Sequence, residues 1–191
     1  MRSSVRSWMG IGVLSVVMGL FVAATPARAG EERSDVEIRK AAQDAILGYP
    51  SLTVFDSIEL GVADGVVLLQ GSVNQPYRKR DIQARVARLA GVKKIRNEIQ
   101  VQSVSLFDDQ IRRQLARAIY GDERFARYAI QANPPIRIVV DRGRVTLTGY
   151  VASPVEQALL GHIARSSLAF GVDNRVRVDG ETSTDAKRNV S

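Results

Sequence analysis

A chain of 191 residues, 45% apolar and 25% charged, has an ordinary globular balance and room for one or two small domains. It holds no cysteine and one histidine, which excludes disulfide staples, thiol nucleophiles and zinc–thiolate centres. Its net charge of +7 permits an anionic surface as partner without demanding one.

The first thirty residues read as an export leader. Arg2 and Arg6 form a short positive segment, Trp8 to Ala24 carries no charge, and Ala27-Arg28-Ala29 has the small-residue spacing that signal peptidase reads. Cleavage after Ala29 is expected, and with it a periplasmic location. An apolar run of about 17 residues is short for a spanning helix. Loss of Arg2, Arg6 and Arg28 takes the 27 basic residues to 24, against 20 acidic ones. The expected divisions are a leader over 1–29, a first domain over 30–103, a second over 104–179 and a disordered polar tail over 180–191.

After the leader, Ser34-x-x-Glu37 is a capping-box signature, and Ile38, Ala42, Ala45 and Ile46 mark one helical face that Gly48 and Pro50 end. Two strands follow, turning at Asp64-Gly65, a strong hairpin signal. Pro76 suits the first turn of a second helix with Ile82, Val86 and Leu89 on its buried side. Gly91 can end that helix, and Lys94 to Val101 alternates as a half-buried strand does.

The same order then repeats. Ile58 to Gly71 and Ile136 to Gly149 fall in register at an offset of 78, with apolar positions and both glycines aligned; Pro76 and Pro154 share that offset. Ile95 to Val101 matches Val172 to Val178 at an offset of 77. In the second copy Ser105 opens a helix carrying Phe107, Ile111, Leu115 and Ile119. Ile136, Ile138 and Val140 alternate with Arg137 and Val139, and Ser153-x-x-Glu156 caps a last helix with Leu159, Leu160, Ile163 and Ala164 on its core face. The join from Gly121 to Pro135 is longer than its counterpart in the first copy. The fold class expected is α+β: two tandem αββαβ units, each a three-stranded mixed sheet with two helices on one face.

The hairpins ending in glycine, Asp64-Gly65-Val66-Val67-Leu68-Leu69-Gln70-Gly71 and Arg142-Gly143-Arg144-Val145-Thr146-Leu147-Thr148-Gly149, each precede an amphipathic helix. Gly91-Val92-x-x-Ile95-x-Asn97-x-Ile99-x-Val101 then completes the first unit. This pattern resembles the BON domain, a bacterial module of exported osmotic-stress proteins, in both copies. One departure is Leu168, which stands where the first copy has Gly91, with Gly171 three residues later. The resemblance implies binding rather than chemistry: peripheral association with phospholipid membranes and maintenance of the envelope under osmotic stress.

The residues themselves offer no catalytic constellation. His162 reads as a helix histidine at or near the surface, and the pairs Asp108-Asp109 and Asp122-Glu123 as helix-end carboxylates. No cofactor, metal or small-molecule substrate is expected, and export separates the chain from nucleic acid. The segment worth weighing for binding is Arg112 to Tyr128. It interleaves Arg112, Arg113, Arg117, Arg124 and Arg127 with Tyr120, Phe125 and Tyr128. Arginine grips phosphate in a bidentate way and aromatic rings favour the membrane interface, so these eight residues form a candidate site for anionic phospholipid headgroups. The plainer reading is a solvated helix face followed by a loop whose aromatics cap the core. Arg78-Lys79-Arg80 with Arg85 and Arg88 is a weaker second cluster. The competing class of function is an envelope protein-binding or chaperone-like module using the open sheet face or the groove between the copies.

Overall fold

Ser34 acts as its spacing predicts. Its hydroxyl accepts from the Glu37 N–H at 3.3 Å while the Glu37 carboxylate accepts from the Ser34 N–H at 2.8 Å. The reciprocal cap opens α1 (Asp35–Leu47), which turns Ile38, Ala42 and Ile46 inward. The computed structural model describes residues 33–180; the expected leader, and the tail beyond Gly180, lie outside the described residues.

β1 (Ser57–Ala63) and β2 (Val66–Val73) form an antiparallel hairpin. Its turn holds Asp64 and Gly65 at φ 52° and 76°, the primed geometry that follows the twist of the strands. α2 (Pro76–Ala87) crosses back over the sheet, and β3 (Lys94–Asn97) and β4 (Gln100–Val101) run parallel to β2. The central strand is therefore β2, in a mixed sheet. β3 and β4 are one strand broken at Glu98. The Asn97 side chain governs the break: its amide donates to Lys79 O on α2 at 3.1 Å and its oxygen accepts from the Ile99 N–H at 3.2 Å. Past the break the alternation shifts, so that Val101 is exposed and Gln102 is buried.

The second copy repeats the order with α3 (Leu106–Tyr120), a 3-10 turn over Glu123–Phe125, α4 (Ala126–Ala129), β5 (Arg137–Asp141), β6 (Arg144–Thr148), β7 (Tyr150–Val151), α5 (Pro154–Arg165), β8 (Gly171–Asn174) and β9 (Arg177–Val178). β5 and β6 pair antiparallel, and β8 runs parallel to β6. Asn174 reproduces Asn97, donating to Gln157 O at 2.8 Å and accepting from the Val176 N–H at 3.3 Å. The glycine ending each hairpin has a steric cause. A Cβ on Gly71 would lie 2.1 Å from Ser57 O, and one on Gly149 1.8 Å from Pro135 O. Only glycine allows the neighbouring backbone so close.

Each copy has its own core under its helices, one centred on Val67, Leu69, Ile82 and Ile99, the other on Ile111, Leu115, Ile138, Leu147 and Leu160. Both belong to one compact unit. The long join before β5 folds locally as short helices and seats Phe125 and Tyr128 in the second core.

The copies meet along the outer side of β1 and β5. Ser57 and Thr148 hydroxyls lie 2.8 Å apart, the Ile138 N–H donates to Val54 O at 2.7 Å, and Arg137 donates to Thr53 O at 3.0 Å. Phe55, a first-copy residue, packs against the second core. Buried Gln102 donates to Phe55 O at 2.8 Å and accepts from Arg112 at 3.0 Å, and Arg112 also donates to Val140 O.

Candidate functional site

Ile111, Leu115 and Ile119 commit one side of α3 to the core, which fixes where its arginines go. Arg113 and Arg117, four residues apart, are exposed on one stripe of the helix. Neither guanidinium makes a hydrogen bond or ion pair with another described residue; the Arg117 carbonyl only accepts the closing bond of the helix from the Gly121 N–H. Just beyond the helix, Arg124 and Arg127 are also exposed but are engaged. Arg124 binds both carboxylate oxygens of Asp122, at 2.8 and 2.5 Å, and these bonds with the Arg124 N–H hold the Asp122 carboxyl down to about 2. Arg127 lies 4.8 Å over the Tyr128 ring and pairs with Glu156. Burial alone would raise the Glu156 carboxyl. The Tyr128 hydroxyl, Arg127 and the Ala152 N–H more than offset it and hold that carboxyl below its usual range.

The other four candidates do not face solvent as a lipid contact requires. Arg112 is buried at the junction between the copies, bonded to Asp109, Gln102 and Val140 O. Phe125 is wholly enclosed in the second core. Tyr128 is buried, its hydroxyl donating to Glu156 at 2.8 Å and accepting from the Ala152 N–H at 2.8 Å. Tyr120 is half-buried and donates to Ile136 O, and burial pushes its phenol well above the usual range. The reason is common to the three aromatics. Helix α3 and the short helices after it must cover the β5–β6 hairpin, and the aromatics are the bulk that covers it. The interleaving that suggested an aromatic-lined lipid surface is the alternation of a core-facing and a solvent-facing side.

The weaker cluster is likewise divided. Arg78 is buried against Asp56 at 2.7 Å with Thr53 and Asn74 around it, and Arg85 donates to Ala45 O and Gly48 O across the Tyr49 ring. Arg80 and Arg88 are exposed. His162 is exposed on α5. Among the described residues no three acidic or histidine side chains gather as metal ligands, and no helix is long and apolar enough to cross a membrane.

Two features escaped the sequence reading. Asp35 accepts from the N–H groups of Asp64 and Gly65 at 2.8 and 2.9 Å, and Asp108 from those of Arg142 and Gly143 at 2.9 and 2.7 Å. In both copies the first helix thus clamps the hairpin turn. The second feature is a group of exposed apolar residues at that end of the second copy, among them Leu106, Leu168 and Phe170. Alignment of Phe170 with Lys93 across the repeat was the available signal.

A model of the BON domain matches residues 34–103 and again 107–180. The chain belongs to the BON family. The BON family is non-catalytic, its members are often proteins of the periplasm or envelope, and the domain suggests, at family level, a membrane- or phospholipid-associated role. Among solved structures, CdsD, a structural protein of the type III secretion system of Chlamydia trachomatis, is similar at 11% identity. That match covers 81% of this chain and 98% of that one, with a TM-score of 0.30. The C-terminal domain of CdsD matches at 12% identity over 76% and 99% of the two chains, with a TM-score of 0.28. No curated protein matches the chain.

Proposed function

We propose that this BON protein is exported, is cleaved after Ala29, and acts in the periplasm by associating peripherally with anionic phospholipid membranes, helping to maintain the envelope under osmotic stress. The observation that carries the reading is the pair Arg113 and Arg117, two exposed guanidiniums one turn apart with no carboxylate of the described residues on them. Such a pair can give its donors to phosphate oxygens at no loss of an internal bond. Arg124 and Arg127, exposed in the short helices that follow, would have to share their donors with Asp122 and Glu156. Attraction of this kind is local and weakens as salt screens it.

The test is co-sedimentation of residues 30–191, which contain both cores entire, with phosphatidylglycerol vesicles and with neutral phosphatidylcholine vesicles, at low and near-physiological salt. The expected result is binding selective for the anionic vesicles, reduced by salt and lost several-fold in R113S/R117S with no change in melting temperature. Arg112→Ser should do the reverse, lowering stability by removing the guanidinium that ties Gln102 to Val140 O. Absence of binding to any vesicle would overturn the reading. Binding without lipid selectivity would favour the envelope protein-binding module instead.

A further inference from the structure

The repeat allows each end of the second copy to be compared with its counterpart. At the hairpin end the equivalence is settled by the backbone. The Lys93 N–H donates to Gly65 O at 2.9 Å in the first copy, and the Phe170 N–H donates to Gly143 O at 2.8 Å in the second. Both side chains lie over the turn glycine: a Cβ on Gly65 would meet the Lys93 methylenes, and one on Gly143 the Phe170 ring. Asp35 and Asp108, each binding its own turn, align the helix starts in the same way, which sets Leu106 opposite Arg33. The first copy is therefore basic where the second is apolar.

That apolar end is not covered. Phe170 is 76% exposed and Leu106 89%, with Leu168 at 52% and Val104 at 97%. Phe170 stacks on Phe107 with ring centroids 5.2 Å apart, so the aromatic is held upright rather than loose. Arg142 stands exposed in the turn, and the Arg144 guanidinium would lie 3.4 Å from a Cβ on Gly171, the residue that follows Phe170. Leu106 also begins the stripe of α3 that continues through Gln110 to Arg113 and Arg117, about 10 Å along the helix from Leu106 to Arg113.

We propose that this end of the second copy, Leu106, Leu168 and Phe170 with Val104 and Phe107, enters the headgroup–acyl boundary of an anionic bilayer. Arg142, Arg144 and Arg113 take up the phosphates around it. The proposal rests on the membrane reading given above and adds the part of the molecule that penetrates. Apolar side chains ringed by arginine match a surface that is anionic outside and hydrocarbon beneath. A second copy of the chain fits less well, because apposing two such ends would bring Arg142 and Arg144 of each onto those of the other. Asp141 answers Arg142 only at 3.5 Å, and the Arg142 side chain stays 85% exposed.

The only tryptophan is Trp8, which lies outside residues 30–191. Phe170→Trp therefore gives a single emitter at the proposed point of entry, and Tyr77→Trp gives one on the exposed surface of the first copy. With phosphatidylglycerol vesicles, the F170W emission should shift to the blue and be protected from a soluble quencher, while Y77W stays unmoved. L106S/L168S/F170S should weaken sedimentation about tenfold, and the binding that survives high salt in the parent should disappear, since that part is apolar burial. If the parent binds but F170W does not shift and the triple variant binds as before, the inference is overturned while the arginine reading stands. If the parent binds no vesicle at all, the membrane reading fails and takes this one with it. A parent that is a dimer by light scattering, and made monomeric by the triple variant without loss of vesicle binding, also overturns it, in favour of self-association.

Discussion

At the scale of single residues the molecule relies on ionised carboxylates, two held chiefly by backbone N–H groups and two chiefly by side chains. The Asp35 carboxyl lies below its ordinary value because it accepts from the N–H groups of Gly65 and Asp64, and that of Asp141 because it accepts from Ser103. Asp122 and Glu156 are lowered for the reasons given above. All four hold protons less tightly folded than unfolded, where Asp and Glu titrate near about 4. The unfolded chain therefore binds more protons in acid, and stability falls as pH drops. The stabilisation is complete above about pH 5 and is lost progressively from about pH 4 toward the Asp122 value of about 2. Melting temperature followed from pH 7 to pH 2 should be flat and then fall. Asp35→Asn should start lower at neutral pH and fall less steeply in acid; an acid limb unchanged by that substitution would remove Asp35 from the account.

At the scale of elements, the joint between first helix and hairpin turn is what lets so short a sequence hold a fixed register. Asp108 is buried, with Arg142 N–H, Gly143 N–H and the Ser103 hydroxyl around it. Asp108→Ala strands those donors, and we expect a loss of about 2 kcal/mol, read by urea denaturation, with hydrogen exchange quickened at Arg142 and Gly143. A loss under about 0.5 kcal/mol, the size of an ordinary surface change, would show that the turn holds itself. The elements were legible because the signals were local: Ser34 with Glu37, Asp64-Gly65, Pro76 and Pro154, and apolar spacing. Asp35 and Asp108 were not legible as turn clamps, because an acidic residue in a first helical turn already has a sufficient local explanation in the helix dipole. Nor was the fate of Phe125 and Tyr128, which interleave with arginines in sequence and are separated from them only once α3 and α4 curl over the hairpin. Arg112 differs from Arg113 by one residue and 100° or so of helix, and that small rotation divides a buried brace from an exposed cation.

At the scale of the whole molecule the two copies are joined by more than their short link. Phe55 leaves its own unit to pack on the core of the other, and Val54 O, Thr53 O and Gln102 bind β5, Arg137 and Arg112 beside it. Phe55→Ala should cost about 2–3 kcal/mol, somewhat less than a fully enclosed phenylalanine, and the loss should register in amides of the second copy. Calorimetry should show one transition in the parent; two resolved transitions in the parent would mean that the copies melt independently and that the contact is minor. The same contact bears on how such a protein can change by descent. A duplication whose units are self-sufficient can be trimmed to one or extended to three with little penalty. Here the first unit adds an aromatic of its own to the core of the second. Deleting the first unit would take Phe55 from the second core, and deleting the second would leave Phe55 without that core to pack on, so losing a repeat carries a cost here.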